Sequence, residues 1–285
     1  MTSVQKTISI AYSPDTDDAF MVEAMRAGRI DTRGYTFTYR AADIQELNEA
    51  AGSGTYDVTA ISIAAYPSLA KDYLLMPIGA SIGDEFGPAV VTRPDSPVMD
   101  VSELAGRRIA VPGLATSAYF AATGLIGAFT AVPMHFMKIG PAVLAGDVDA
   151  GILIHELQLN CGERGLLKLA DLGRLWGSRF NLPLPLGANA IKRDLGAAVI
   201  ADVTSIMRQS IEVGLATRDE TLKSALKHSG ADLDLSLGDQ YISMYVNDRS
   251  LGFKSDVRRA VTTLFSLGSA AGLCPPCDAE TAFYE

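Results

Sequence analysis

The chain has 285 residues, of which 48% are hydrophobic and 20% are charged, a composition typical of a globular protein with one large or two medium domains. Its formal net charge is −9 and it has no run of basic residues, which argues against a nucleic-acid partner, because phosphate contacts need clustered lysines and arginines. The N-terminal residues lack the pattern of a signal peptide, and no stretch approaches the ~18 consecutive apolar residues that cross a membrane. We therefore expect a cytoplasmic protein whose partner is a small molecule.

The N-terminal third alternates predicted strands and helices. Three β-branched and apolar runs, TISIAY, YTFTYRA and DVTAIS, predict strands, and a helical pattern follows each of them. The first helix, in DDAFMVEAMRAG, has Asp17 as a plausible N-cap and Gly28 just beyond its end. This alternation predicts a mostly parallel sheet with helices on both faces.

The middle of the chain repeats the pattern, and the last third is helical. DVSELAGRRIAVPG predicts a short helix, a turn and a strand, and TSAYFAATGLIGAF predicts a helix. HFMKI then predicts a strand, GPAVLAG a helix and AGILI a further strand. From about residue 196 onward, four successive segments have helical spacing. The sequence therefore predicts a second α/β unit followed by helices.

Two extended segments rich in proline and glycine, Gly87–Ser96 and Leu182–Asp194, flank the middle unit. We interpret them as two strands that join two lobes. The first lobe takes residues 1–92 and 190–285, and the second lobe is the insertion, residues 93–189. A cleft between lobes is a common place for a small ligand, and a hinge of two strands allows the lobes to close on it.

Four predicted strands end in small polar residues or a histidine. Ser13 and Ser62 end the first and third strands, Thr116 and Ser117 follow RIAVPG, and His155 ends GILI. Ligands of open α/β sheets bind beyond the carboxyl ends of the strands, and hydroxyl and backbone N–H groups at helix starts bind anions. The sequence therefore predicts a cleft for a small carboxylate or polyhydroxyl compound. In the alternative interpretation, the hydroxyl residues are only N-caps and the histidine belongs to the core.

No strong catalytic signature appears in the sequence. There is no GxGxxG, GxxxxGK[ST], HExxH or GxSxG. Asp15, Asp17 and Asp18 are too close in sequence to act as separate metal ligands, so we expect no metal. Cys274 and Cys277, in CPPC, follow a helix and enter the C-terminal tail, where a turn is the expected structure.

The remaining histidines and the single tryptophan are interpreted as structural. We expect His135 to begin the strand HFMKI and His228 to lie near a helix end, where a cation suits the helix dipole. Trp176 lies in LGRLWGSRF, where packing in the core is the expected role.

Six segments carry a resemblance that covers nearly the whole chain. The chain resembles 1,4-dihydroxy-6-naphthoate synthase of the futalosine route to menaquinone, and the related dehydratase of that route. The segments are SPDTDDAF (13–20), ISIAAY (61–66), VPGLATSAYF (111–120), GDVDAGILIHE (146–156), LPLPLGA (182–188) and YVN (245–247). AGILIHE together with LPLPLGA is specific to the synthase.

This resemblance implies an α/β fold of the periplasmic-binding-protein type II class, with two lobes of mixed sheet joined by two hinge strands, in a protein that is not periplasmic. It implies cleavage of cyclic dehypoxanthine futalosine, in which a base removes a proton, a three-carbon piece leaves and the naphthoate ring becomes aromatic. It implies no metal or organic cofactor. The catalytic histidine falls on His155, and the substrate-contacting positions fall on Ala60, Ile61, Ser62, Thr116 and Ser117.

The segment at the first strand end departs from the family pattern. The family usually reads Ser-Pro-Cys-Pro-Asn-Asp-Thr-Phe, whereas Asp15 and Asp17 stand here in place of the cysteine and the asparagine. An added carboxylate at the cleft would repel a carboxylate substrate by roughly 1–4 kcal/mol. Either the substrate differs, or these acids point outward and stabilise the helix start. We therefore count Ser13 and Asp15 as candidate substrate contacts.

We expect His155 to act as the general base, because a neutral imidazole with an ordinary pKa of about 6.5 suits proton removal near pH 7. Glu156 should point away from the cleft, since successive residues of a strand face opposite sides. Two other functions stay open at this point: a binding protein without catalysis, and a related enzyme with a different substrate.

Overall fold

Residues 6–228 and 235–284 are described in the computed structural model, and they contain eleven strands and ten α-helices. The strands are β1 (Thr7–Tyr12), β2 (Thr36–Ala41), β3 (Val58–Ser62), β4 (Tyr73–Leu75), β5 (Ser81–Gly83), β6 (Ala89–Thr92), β7 (Arg108–Val111), β8 (Thr130–Pro133), β9 (Ala150–Leu153), β10 (Leu167–Asp171) and β11 (Leu184–Lys192). The helices are α1 (Thr16–Arg26), α2 (Ile44–Gly52), α3 (Tyr66–Leu69), α4 (Ser117–Ile126), α5 (Phe136–Ala145), α6 (Leu172–Phe180), α7 (Ala197–Ala216), α8 (Arg218–Ala225), α9 (Leu235–Tyr245) and α10 (Ser255–Ala270).

The strands form two mixed sheets. The first has the order β2-β1-β3-β11-β4, with β5 paired to β11, and the second has the order β10-β6-β9-β7-β8. In each sheet three neighbouring strands run parallel, β1 with β2 and β3, and β7 with β8 and β9. The antiparallel members are β11 on β3, and β6 on β9. The predicted fold class, α/β with two mixed sheets, is confirmed.

The strand pairing places both crossings between the sheets earlier in the chain than the sequence indicated. Residues Ala89–Thr92 form β6 inside the second sheet, and β11 lies in the first sheet along its whole length. The chain therefore crosses between β5 and β6 and returns between β10 and β11. The proposed lobe boundaries at 92/93 and 189/190 shift accordingly. The first boundary was placed too late because β6, a fully buried strand, was interpreted as part of the connection. The second was placed too late because the first half of β11 was interpreted in the same way.

One predicted strand is a helix. HFMKI and GPAVLAG together form α5, and His135 is its N-cap, where Nδ1 accepts a hydrogen bond from the Met137 N–H over 3.3 Å. Short apolar runs do not distinguish strand from helix, and Pro141, inside α5, was interpreted as a break. The strand of this region is β8, which ends two residues before His135. The first helix also begins earlier than predicted, because Asp15, not Asp17, precedes α1.

Close packing of α5 on β9 explains the glycine of GILIH. A Cβ on Gly151 would lie 2.5 Å from Ile139 Cγ2 and 2.8 Å from Val143 Cγ2, so only glycine fits there without movement. The four residues of β9 are buried, and the strand pairs with both β6 and β7. The packing of β9 therefore fixes the point at which the chain leaves the second sheet and leads to His155.

Other sequence-based expectations concern residues outside the sheets. Trp176 is fully buried in α6, as expected, and His228 lies just beyond the end of α8. Cys274 and Cys277 are free thiols in the segment that follows α10. Among the described residues, no helix has both the length and the apolar content that crossing a bilayer requires.

Candidate active site

A cavity of about 620 Å³, open mouth included, lies where the carboxyl ends of the strands of both sheets meet. All the candidate site residues from the sequence lie on its wall, and they are Ser13, Asp15, Ala60, Ile61, Ser62, Thr116, Ser117 and His155. Strands β1 and β3 deliver the first five of these residues from the first sheet. Strands β7 and β9 lead to the other three from the second sheet. The residues that follow these four strands therefore meet at one common cavity.

His155 lies two residues beyond the buried end of β9 and contacts residues next to both sheets. Its Nδ1 lies 2.6 Å from Asp15 Oδ2, and both side chains are only 9% exposed. Phe136, at the start of α5, approaches the imidazole edge to face, with ring centroids 4.8 Å apart. The other ring nitrogen, Nε2, is buried and has no hydrogen-bond partner among the described residues. This arrangement leaves one nitrogen available for proton exchange with a ligand in the cavity.

The surroundings of His155 favour its protonated form. Burial lowers the pKa of the imidazole, but the charge of Asp15 and the hydrogen bond to it outweigh burial and raise the pKa to about 9. Glu156 and Asp43 raise this pKa further. The expectation of an ordinary pKa near 6.5 is therefore wrong. The sequence could not show this, because Asp15 is 140 residues away and belongs to the other sheet.

The two further aspartates of SPDTDDAF lie on the cavity wall, and they do not point outward as helix-start charges. Asp17 is 1% exposed and accepts a hydrogen bond of 2.5 Å from Ser81 Oγ, while its Oδ1 has no partner among the described residues. Asp18 accepts a hydrogen bond of 2.9 Å from the Ser13 N–H. The outward orientation is therefore wrong: α1 begins at the cavity, so its first turn faces the ligand.

Burial and mutual repulsion raise the pKa values of Asp17 and Asp18. Burial and the nearby charges of Asp15 and Asp18 raise the pKa of Asp17 well above its ordinary value. Burial and the charge of Asp15 raise the pKa of Asp18 to about 8. Carboxylate oxygens of all three residues lie within 4.8 Å of one another, a spacing that could hold a metal ion, although the sequence predicted no metal. Near neutral pH, a proton on Asp18 removes part of this negative charge.

Glu156 faces away from the cavity. It is 4% exposed and accepts hydrogen bonds from the backbone N–H of Thr16, over 2.8 Å, and from the Thr16 hydroxyl. Burial and the charge of Asp15 raise the pKa of this carboxyl group. Glu156 therefore links the turn after β9 to the start of α1, next to the contact between His155 and Asp15.

The hydroxyl groups at the start of α4 have their protons engaged within the protein. Thr116 donates to the Gly113 carbonyl over 2.8 Å and caps α4 by accepting from the Tyr119 N–H over 3.3 Å. Ser117 donates to the Leu186 carbonyl over 2.6 Å. A hydroxyl carries one proton, so neither can donate a second hydrogen bond to a carboxylate. The backbone N–H groups of Ser117 and Ala118 remain as donors, since the first residues of a helix have no intrahelical partner for them.

Of the serine hydroxyls described on the cavity wall, those of Ser62 and Ser13 can still donate. Asn48 of α2 holds Ser62 from two sides: its Oδ1 accepts from the Ser62 N–H over 2.8 Å, and its Nδ2 donates to Ser62 Oγ over 3.2 Å. The Ser62 hydroxyl proton is therefore free to face a ligand. Ser13 Oγ is buried and has no partner among the described residues. Asn48 was missed in the sequence, because nothing in QELNEA distinguishes it from an exposed helical residue.

An aromatic wall closes the cavity on the side of α9. Tyr241 and Tyr245 line the cavity with ring centroids 4.8 Å apart. Gln158, in the turn after His155, donates from Nε2 to the Tyr245 hydroxyl over 3.0 Å, and its Oε1 is buried without a partner among the described residues. Sequence reasoning missed Tyr241 and Gln158, whereas Tyr245 lay in the YVN segment. Two aromatic faces and an amide suit a ligand with a flat ring and polar substituents.

Comparison with known proteins identifies the family. The family model described as menaquinone biosynthesis matches residues 8–270. The chain is 33% identical over 278 residues to the 1,4-dihydroxy-6-naphthoate synthase of Streptomyces coelicolor, covering 94% of this chain and 95% of that protein.

Solved structures share the fold of this chain. A protein of Archaeoglobus fulgidus is 40% identical, with a TM-score of 0.87 over 94% of this chain and 98% of that one. The Candida albicans CA3427 gene product, described as having the generic periplasmic binding protein fold, has a TM-score of 0.73 at 14% identity, over 98% of this chain and 96% of that one. The predicted fold type is thereby confirmed, and the chain belongs to the menaquinone biosynthesis family.

Proposed function

We propose that this protein is a 1,4-dihydroxy-6-naphthoate synthase, a lyase-type enzyme that converts cyclic dehypoxanthine futalosine to 1,4-dihydroxy-6-naphthoate. Its likeness to the Streptomyces synthase covers 94% of this chain and 95% of that protein. The observation that carries the proposal is the buried, unpartnered Nε2 of His155 on the cavity wall. A buried nitrogen that lacks a hydrogen bond is costly to maintain, so a group of the ligand is its expected partner.

In this reaction His155 acts as the general base. Its Nε2 takes the proton whose removal lets the three-carbon fragment leave, and the remaining ring system becomes aromatic. Aromatisation supplies driving force, so the protein mainly needs a positioned base and a means to hold the substrate. No metal or organic cofactor is required by this step.

Because the pKa of His155 is raised to about 9, only a minor fraction of the imidazole is deprotonated at neutral pH. The rate should therefore rise with pH, reach half of its limit at about 9, where half of the base is free, and level off above that. The same surroundings make the imidazole a stronger base once it is free, which favours removal of a weakly acidic proton.

The substrate carboxylate binds, in this proposal, at the start of α4. Backbone N–H groups of Ser117 and Ala118 and the hydroxyl of Ser62 are the donors on that wall. Of the described residues, no lysine or arginine lines the cavity. The predicted repulsion from the added acids is small if Asp17 and Asp18 stay protonated and if Asp15 is paired with a protonated His155. A carboxylate substrate is then compatible with the SPDTDDAF segment.

We also propose that the reaction takes place in the cytoplasm. All three cysteines are free thiols, and two of them lie three positions apart in CPPC, which is in keeping with a reducing compartment.

One experiment separates an enzyme from a binding protein. The purified chain is titrated with cyclic dehypoxanthine futalosine in a calorimeter, and the recovered solution is assayed for remaining substrate. We expect heat of binding together with consumption of the substrate by the wild type. The His155→Asn variant should bind with similar affinity and leave the substrate almost intact. Binding without consumption by the wild type itself would overturn the enzyme and favour the binding protein.

A further inference from the structure

The pair formed by Asp15 and His155 joins the two lobes at the cavity. Asp15 lies between β1 and α1, next to the first sheet, and His155 follows β9 of the second sheet. We propose that Asp15 is the positioning residue of His155: it decides which ring nitrogen faces the substrate and holds the ring in that orientation. This inference rests on the proposed function and adds a role at a position where the family pattern has cysteine.

The tautomer follows from the chemistry of the two groups. A carboxylate only accepts hydrogen bonds, so the Nδ1 that lies 2.6 Å from Asp15 Oδ2 must carry a proton. In the neutral imidazole the lone pair then belongs to Nε2, which is the nitrogen on the cavity wall without a partner. Without the carboxylate, the proton of the neutral ring could reside on either nitrogen, and part of the enzyme would present an N–H to the substrate.

The orientation of the ring follows from three contacts. The His155 backbone is in the left-handed region, with φ of +56°, so the side chain leaves the chain in a direction that β9 alone would not give. The edge-to-face contact with Phe136 restricts the ring on one side, and Asp15 fixes its Nδ1 end. Both partners of the ion pair are more than nine-tenths buried, so water competes little for this hydrogen bond.

Other acids face His155, but none of them bonds to its ring. Glu156 accepts from Thr16, Asp18 accepts from the Ser13 N–H, and Asp43 caps α2 by accepting from the Gln45 N–H. These three groups act on the imidazole only through their charge or proximity. Asp15 alone combines a charge with a direct hydrogen bond, so replacing it should change properties that loss of one nearby charge does not.

The first test is a titration of the His155 ring by NMR, which needs no substrate. The chain has three histidines, and the His155→Asn variant identifies the resonance of interest. We expect a midpoint near 9 in the wild type and, in Asp15→Asn, a midpoint lower by at least about one pH unit, nearer the ordinary value of about 6.5. Asp43→Asn is the matched control: it removes a nearby charge, keeps an N-capping side chain and should leave the midpoint within about half a unit of the wild type.

The second test is the pH dependence of turnover in the same variants. An asparagine amide can donate a hydrogen bond to Nδ1, which favours the tautomer with its proton on Nε2. In a hydrolase triad, an Asp-to-Asn change that favours the wrong tautomer costs about 10⁴ in rate. We expect Asp15→Asn to lower kcat by about 10²–10⁴ and KM to change far less. The rising limb of the pH profile should move to lower pH. Asp15→Glu restores the charge, so its limb should return toward 9 and recover part of the lost rate.

The outcomes separate this inference from the proposed function. Suppose that the wild type consumes no futalosine-derived substrate, while its His155 ring titrates near 9 and the midpoint is lower in Asp15→Asn. This result overturns the proposed function and supports the pairing of Asp15 with His155. A midpoint that is unchanged in Asp15→Asn overturns the positioning role, whatever the activity. Where Asp15→Asn fails to fold, Asp15→Glu decides: an ordinary midpoint in that variant would overturn the inference, and a raised one supports it.

Discussion

Replacement of His155 by asparagine should abolish most turnover and leave the fold almost unchanged. The backbone of residue 155 has φ of +56°, a conformation that asparagine adopts more readily than most residues, so the substitution adds little strain. It removes the edge-to-face contact with Phe136, worth about 0.5–1.5 kcal/mol, and weakens the hydrogen bond to Asp15. We expect a loss of unfolding free energy of about 1–3 kcal/mol, since the buried Asp15 carboxylate keeps an amide as a weaker donor.

The effect on the reaction should be much larger than the effect on stability. A positioned general base contributes about 10²–10⁴ in rate, which corresponds to roughly 3–5 kcal/mol of activation free energy. The assay is kcat on cyclic dehypoxanthine futalosine, with urea unfolding of the same preparations. His155→Ala is measured beside His155→Asn, and it should be the less stable of the two, because alanine in the left-handed conformation adds about 1–2 kcal/mol of strain. The reasoning is refuted if His155→Asn keeps near-full activity, or if it unfolds so readily that instability alone explains the loss.

Three further substitutions test other parts of the site. Ser117→Ala should lower the unfolding free energy by about 1–3 kcal/mol, because the buried carbonyl of Leu186 loses its donor, and urea unfolding measures this. Asn48→Leu should raise KM by roughly 10-fold with a smaller change in kcat, because the Ser62 hydroxyl loses the group that orients it; steady-state kinetics would contradict this if only kcat fell. The pKa of Asp18 is raised to about 8, so the folded state binds a proton that the unfolded chain releases above about pH 4, and stability should fall as pH rises from 5 to 8. Thermal melting across that range should show the decline, and the Asp18→Asn variant should show a flatter curve; equal slopes would exclude Asp18 as its source.

The parts of the fold that the sequence predicted are those with strong local patterns. Strands β1, β3, β7 and β9 are apolar runs bounded by turns, and the polar residues that follow them could be placed at one cavity because parallel strands end at the same edge. The three-residue strands β4 and β5 were missed, since so few residues show no alternation. Helix α5 was divided at Gly140-Pro141, because proline usually marks a boundary, and here the helix continues through it.

The chemistry of the site was less predictable, because it depends on contacts between residues far apart in the chain. His155 was identified from its strand alone, but its raised pKa comes from Asp15, on the opposite side of the cleft. Asp15 itself was interpreted as a charge that repels the substrate or points to solvent. The structure pairs it with the imidazole, and no local pattern could reveal that pairing. Likewise, the hydroxyls of Thr116 and Ser117 lie on the cavity wall as predicted, but internal hydrogen bonds engage their protons.

The most direct test of the central claim is to identify what the wild-type chain makes from cyclic dehypoxanthine futalosine. The enzyme in excess over substrate is incubated near pH 9, where half of the His155 base is free, and the quenched mixture is analysed by liquid chromatography and mass spectrometry. We predict 1,4-dihydroxy-6-naphthoate and a three-carbon fragment in equal amounts, with little of either from His155→Asn under the same conditions. Recovery of unchanged substrate, conversion to a different product, or an equal yield from the variant would contradict the account.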